Sequence, residues 1–372
     1  SEENIEETLD HAIKSQNQLL RRTISELVPL SSCDGDLMED LFGTTVASIP
    51  TPSKHLNSLF NGGFAPGKLI VIAAPPGQGK TTFCAWCGDF AASQGIPVLV
   101  CSYEMSRYQL YQYTLSRKAD IDSSYIERKA WLDPNHPDPE SLLSRVVKAA
   151  TEVHNEIAPH LNIWVCGMEH TPARLKGAIS QVRHNAKLPE DAPVLVIIDY
   201  LQLLNTGDDK LDTSAQETLR VSRVATMLKQ LARDTGASLI AISDVTKDAY
   251  QKALKTGSLD MSALRDSFKI AHAADAIVLL QTGTISTANG NNTPAKDQLE
   301  LLAQKYPERE RAIENLRQSV KKSPLDTFAR LTILKNRGGG LGDPIFLYKK
   351  ATHKFLPLNL ELNQEDEYAN EF

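Results

Sequence analysis

The chemistry of this chain is concentrated in residues 74–82, Ala74-Pro75-Pro76-Gly77-Gln78-Gly79-Lys80-Thr81-Thr82. They follow the apolar run Leu69-Ile70-Val71-Ile72-Ala73 and precede Phe83-Cys84-Ala85-Trp86, which reads as a helix start. A strand, a glycine-rich turn, Lys-Thr and a helix are the parts of a nucleoside triphosphate cradle. The turn points successive backbone N–H groups at phosphate oxygens, and the helix N-terminus adds partial positive charge. In such a cradle Lys80 reaches the outer phosphates of ATP, and Thr81 places its hydroxyl on Mg²⁺. The pattern usually opens with Gly, and Ala74 stands there instead, at the least demanding position of the set. Two carboxylates extend the constellation. Glu104 lies just past the apolar run Val98–Ser102, and Asp199 ends the run Val194–Ile198. Asp199 suits Mg²⁺ ligation, directly or through water. Glu104 suits a general base that orients and deprotonates an attacking water. A charged residue ending a strand is also a common solvated edge. Three such features in this order along one chain point to nucleoside triphosphate hydrolysis.

The elements that must position these residues alternate strand and helix. Continuous apolar runs at 69–73, 98–102, 194–198, 238–243 and 276–281 predict strands buried on both faces of a parallel sheet. Helices are predicted at 56–60, after Lys80 to about Ser93, and from Arg107 to about Ala119. Residues 140–157 follow with Leu143, Val147, Ala150, His154 and Ile157 on one side. A further helix opens at Thr171-Pro172, where the cap and first-turn proline are in their favoured places. A long one ends near Asp234, before Gly236. Leu161–Val165 reads as another strand. Phe328–Lys335 and Asp343–Lys350 alternate as a C-terminal antiparallel β-hairpin around Gly338-Gly339-Gly340. The fold class is α/β, a mainly parallel sheet flanked by helices, with its ligand crevice at the carboxyl ends of the strands.

Ahead of this domain, residues 4–28 carry one apolar stripe at helical spacing, Ile5, Leu9, Ala12, Ile13, Leu20, Ile24 and Leu27. Such a stripe needs a partner surface, either the body of its own domain or a neighbouring subunit. The expected organisation is a linker helix and connector over 1–44, an ATPase domain over 45–358 with a polar insertion at 284–326, and an acidic flexible tail over 359–372.

The 372 residues are 41% hydrophobic and 23% charged, with formal net charge −6, an ordinary soluble composition. That balance excludes a global positive field, so any nucleic-acid contact must come from local loops. No apolar run is long enough to span a membrane. Five scattered cysteines and the lack of a signal pattern fit a cytoplasmic protein with reduced thiols. Cys84-Ala85-Trp86-Cys87 has no second pair and is read as core packing rather than half a metal site.

The chain resembles the RecA-like motor domain of the DnaB-type replicative helicases over about residues 45–357. The residues carrying the resemblance are Ala73–Thr81, Ser102-Tyr103-Glu104-Met105-Ser106 and Ile197-Ile198-Asp199-Tyr200-Leu201-Gln202-Leu203-Leu204. It continues through Ala263-Leu264-Arg265-Asp266-Ser267, Ala274-Asp275 and Leu334-Lys335-Asn336-Arg337-Gly338. The resemblance implies that Pro76, Gly77, Gln78, Gly79, Lys80, Thr81 and Thr82 cradle ATP. It also implies that Thr81 and Asp199 hold Mg²⁺ and that Glu104 is the catalytic base. Lys335 and Arg337 look like a finger pair inserted into the next subunit's ATP site; their alternative is a solvated hairpin rim. A hexameric ring around single-stranded DNA is implied, with replication or recombination proteins as partners and residues 4–28 docked on a neighbouring subunit. The alternative is a DnaB-like ATPase without unwinding activity, a nucleotide-switched assembly or recombination factor for protein partners.

The sequence departs from that family where a Gln usually follows the strand ending Ala241-Ile242-Ser243. Here the residue is Asp244. A carboxylate facing phosphate repels it unless Mg²⁺ or a lysine intervenes. The channel loops are mixed. Asp208, Asp209 and Asp212 oppose Lys210 in the first, and Lys247, Lys252 and Lys255 lie in the second.

Overall fold

A computed structural model of the chain describes residues 48–358, apart from 168–169, 209–211, 213–216, 246–267 and most of 283–324. The expected linker helix, most of the 284–326 insertion, the second channel loop and the acidic tail lie outside the described residues.

Six strands run parallel: β1 (Leu69–Ala74), β2 (Val98–Ser102), β3 (Leu161–Val165), β4 (Leu195–Asp199), β5 (Ser238–Asp244) and β6 (Ala276–Thr282). Three more, β7 (Asp326–Asn336), β8 (Ile345–Lys349) and β9 (Lys354–Leu358), extend the sheet antiparallel from β6. The order across the nine strands is β3-β2-β4-β5-β1-β6-β7-β8-β9. The expected hairpin is thus a three-stranded meander, joined edge-on to the parallel sheet.

Because side chains alternate along a strand, β1 divides itself between two cores. Leu69, Val71 and Ala73 join a cluster with Leu175, Ile179, Val224 and Leu228. These come from α6 (Pro172–Asn185) and α7 (Glu217–Thr235). On the other face Ile70, Ile72 and Ala74 join Phe83, Cys84, Cys87 and Phe346. That cluster is built on α1 (Lys54–Leu59) and α2 (Lys80–Ser93). Cys84 and Cys87 are core residues, and burial pushes both thiols up. At the α6 start Thr171 accepts from the Arg174 N–H at 3.4 Å, and Pro172 follows in the first turn.

A third cluster packs α3 (Arg107–Ala119), α4 (Ser123–Glu127) and α5 (Pro139–Glu152) together through Leu115, Ile121, Ile126, Leu142, Val146 and Ala149. Here the phase read from the sequence is corrected. The buried stripe is Leu142, Val146, Ala149 and Val153, whereas Leu143 is 42% exposed and Val147 55%. The doublets Leu142-Leu143 and Val146-Val147 offer two stripes of equal spacing. Packing against Leu115 and Ile126 selects one. Ile157 is buried as expected, in a π turn over Val153–Ile157. A buried ion pair ties α2 to α3. The Arg117 Nε and Nη2 donate to Asp89 Oδ2 at 2.8 and 2.6 Å, and the Thr114 hydroxyl donates to Asp89 Oδ1 at 3.1 Å.

Candidate active site

The strand register gathers the chemistry. Ala74 on β1 pairs with Asp244 on β5, and Ser102 on β2 pairs with Asp199 on β4. The order β2-β4-β5-β1 therefore sets Glu104, Asp199, Asp244 and the turn before Lys80 along one edge, at the carboxyl ends of the parallel strands.

In that turn Gly77 and Gly79 adopt φ of +75° and +83°, a left-handed conformation that a side chain disfavours. Gly79 is further constrained, since a Cβ there would lie 3.0 Å from the Tyr348 ring. Gly79 caps α2 without any side-chain hydrogen bond. The first-turn N–H groups of this helix thus lack the partner that a capping Ser or Asp supplies, the condition under which a helix end binds an anion. Gln78 anchors the loop, its Oε1 accepting from Thr282 N at 2.6 Å and Thr282 Oγ1 at 3.0 Å. Thr82 is buried, 3.5 Å from the Tyr348 hydroxyl. Pro76 is exposed at the loop's crest. The Lys80 ammonium donates to Ala74 O at 2.8 Å, Pro75 O at 3.2 Å and Asp244 Oδ1 at 2.6 Å. Asp244 is thus ion-paired with the lysine of the phosphate loop.

Asp199 is 3% exposed, and its Oδ2 is buried without a hydrogen-bond partner. Burial pushes its carboxyl up to about 6. A hydrogen bond with Thr81 and the Lys80 charge pull it down, and the Glu104 and Asp244 charges push it up. An orphaned carboxylate oxygen beside a threonine hydroxyl is a donor set of hard oxygens, which fits Mg²⁺. Thr81 and Asp199 would hold the ion, and Mg²⁺ would neutralise phosphate charge there.

The raised Asp199 carboxyl gives a stability prediction. Its ordinary value is 3.8 and its folded value about 6, so the ionised form costs stability above pH 6. The cost is relieved as pH falls through about 6 toward 4. Asp199→Asn should raise the stability of the Mg²⁺-free protein at pH 8 by about 3 kcal/mol at most. The gain should shrink below pH 6, and melting curves across pH check this. An equal or lower melting temperature for the variant at pH 8 contradicts it.

Glu104 is exposed just beyond β2, on a segment held at both sides. Tyr103 N donates to Asp199 O at 2.9 Å, and Met105 N donates to Ser102 Oγ at 3.0 Å. Lys335 and Arg337 do not join this edge. β7 runs antiparallel to β6, pairing Lys335 with Ile277 and Ala329 with Thr282. The end of β7 therefore lies a β6 length, about 20 Å, from the phosphate loop. Lys335 Nζ donates to Ala271 O and Ala274 O at 2.6 Å each. It closes the carboxyl end of α8 (Phe268–Ala273). The exposed Arg337 donates to His272 O at 3.1 Å.

Several supporting contacts join residues that no local sequence pattern links. Arg220 donates to Gln202 O at 2.8 Å and Leu204 O at 3.0 Å, and Gln202 Nε2 donates to Ser243 Oγ at 2.9 Å. Together they fasten the segment after Asp199 to β5. Asp275 Oδ2 accepts from Leu69 N at 2.8 Å and Lys229 Nζ at 2.6 Å, fixing the start of β1. Tyr348 beneath Gly79 carried no signal beyond strand alternation. In the loop expected to line a channel, Asp212 is turned inward, accepting from Thr206 N and Gly207 N at 2.8 and 2.9 Å. These bonds hold its carboxyl below the usual range despite partial burial.

The sheet order, the glycine turn and the carboxylates at one edge define a RecA-like α/β fold with a phosphate-binding loop. Residues 48–357 match the family described as DnaB-like helicase C terminal domain, and the chain belongs to that family. It is 32% identical over 242 residues to the replicative DNA helicase DnaB of Nostoc sp., covering 65% of this chain and 25% of the relative. It is 28% identical over 266 residues to a probable replicative DNA helicase of Trieres chinensis, covering 70% of this chain and 53% of the relative. The chain thus spans a quarter to a half of the length of these relatives. Among solved structures, an ATPase domain superposes with TM-score 0.68 at 20% identity, covering 89% of this chain and 99% of that one. A DnaB-like replicative helicase, studied with its interactions with primase, superposes with TM-score 0.64 at 19% identity, covering 92% of this chain and 71% of that one. Among the described residues no helix is long and apolar enough to cross a membrane.

Proposed function

We propose that this chain is the ATP-hydrolysing motor of a DnaB-like helicase, translocating on single-stranded DNA. In this reading Lys80, Thr81 and Asp199 hold Mg²⁺-ATP and Glu104 activates water. Arg337 completes the site from the next subunit of a ring. The observation that supports it most is the gathering of Lys80, Asp199 and Glu104 at one sheet edge while Arg337 stands a β6 length away. A finger that cannot reach its own phosphate loop would act in trans. The names of the relatives support DNA as the track and replication proteins, primase among them, as partners.

Steady-state ATP hydrolysis with and without single-stranded DNA, at two salt concentrations, tests the reading. Stimulation by DNA that fades as salt rises is expected, because phosphate contacts by a few loop cations are salt-sensitive. A steady rate indifferent to DNA would favour the second reading, a nucleotide-switched assembly factor for protein partners. The observation favouring that alternative is Asp244 on Lys80, which places a negative charge beside the phosphate position.

A further inference from the structure

An ammonium group has three N–H donors. In this structure the three contacts of Lys80 Nζ, to Ala74 O, Pro75 O and Asp244 Oδ1, use all of them. A phosphate oxygen can bind Lys80 only by displacing one acceptor. Two of the three are backbone carbonyls of the buried residues Ala74 and Pro75, fixed where β1 enters the loop. The third is a side-chain carboxylate that can swing away. The Lys80 side chain is 11% exposed and that of Asp244 is 43% exposed, so the pair is shielded on the lysine side and open on the carboxylate side. The Asp244 charge is also felt by Asp199, whose carboxyl it pushes up.

We infer that Asp244 is a phosphate-competing latch on Lys80. The 2.6 Å ion pair holds Lys80 closed to phosphate, and the outer phosphates of a nucleotide must expel the carboxylate before Lys80 can bind them. Asp244 is thus a positioning residue that sets nucleotide affinity through Lys80. The inference rests on the reading of this site as an ATP site and adds a residue that tunes it. An amide at position 244 would neither pair with the ammonium as strongly nor repel phosphate.

The test is equilibrium binding of a fluorescent ATP analogue to the full chain, for the unaltered protein, Asp244→Asn, Asp244→Gln, Lys80→Ala and Lys80→Ala combined with Asp244→Asn. Adenosine serves as a phosphate-free control, and melting curves verify that each variant folds. A charge-assisted hydrogen bond discounted for its exposed partner predicts about tenfold tighter nucleotide binding in both Asp244 variants. The gain should vanish in the Lys80→Ala background and be absent for adenosine. Unchanged or weaker binding in folded Asp244 variants would overturn the latch while leaving the ATP reading intact. A gain that persists without Lys80 would overturn it too, in favour of plain charge repulsion between Asp244 and phosphate. Failure of the unaltered protein to bind the analogue would remove the ATP reading and the latch together.

Discussion

Glu104→Gln should lower ATP turnover by about 10²- to 10⁴-fold, the usual worth of a positioned general base, and leave nucleotide binding in place. The substitution keeps the size of the side chain and removes its ability to take a proton. Glu104 is suited to the role by position. It follows β2, whose neighbour β4 ends in Asp199, so the two carboxylates stand on adjacent strands at the same edge. The backbone on either side is pinned through Tyr103 N to Asp199 O and Met105 N to Ser102 Oγ. The side chain is exposed, so water has access to it. Single-turnover hydrolysis, measured beside binding of a slowly hydrolysed ATP analogue, separates chemistry from affinity. Near-normal turnover in the variant would remove Glu104 as the base. Lost binding would make it a structural residue instead.

Arg337→Ala should cost about 10³-fold or more in turnover, the scale of an arginine finger that neutralises transition-state charge. The same change should have little effect on binding of ATP by the isolated subunit, because Arg337 lies far from its own phosphate loop. Its neighbour Lys335 is a different case. That ammonium is engaged with the carbonyls of Ala271 and Ala274, and burial foremost, with the Arg337 charge adding, holds it below the usual lysine range. The exposed Arg337 guanidinium donates to His272 O at 3.1 Å, a bond that a stronger anionic acceptor can replace. Of the pair implied by family resemblance, Arg337 is the one placed to reach outward.

Much of this was legible in the sequence for physical reasons. Parallel strands buried on both faces are continuous apolar runs, so β1, β2, β4, β5 and β6 could be read with their ends off by a residue or two. Carboxylates immediately after such runs fall at the ligand edge of the sheet, so Asp199 and Glu104 followed from topology. The glycine turn and Lys-Thr fixed the cradle. What failed to show depended on contacts between distant segments. β9 went unread because Pro357 within a five-residue run argues against a strand, yet as the sheet's edge it needs no donor on its outer side. The sequence leaves the phase of α5 open, because its two apolar stripes have equal spacing and only packing selects one. The engagement of Lys335 with the end of α8 joins residues more than sixty positions apart, and no local pattern announces it. In the sequence Asp244 stands out only as a departure from a family pattern; the pairing of β1 with β5 is what brings it to Lys80, 164 positions away.

The most direct measurement of the central claim, an ATP site built on one subunit and completed by the next, mixes two inactive variants. Lys80→Ala disables its own cradle and keeps Arg337. Arg337→Ala keeps its cradle and lacks the finger. The account predicts that each alone hydrolyses ATP at background rate, and that mixtures recover activity, peaking at intermediate ratios, because some interfaces then join an intact cradle to an intact finger. Mixtures that stay at background after subunit exchange has been verified would contradict it, and Arg337 would return to the solvated rim of the β7–β8 turn.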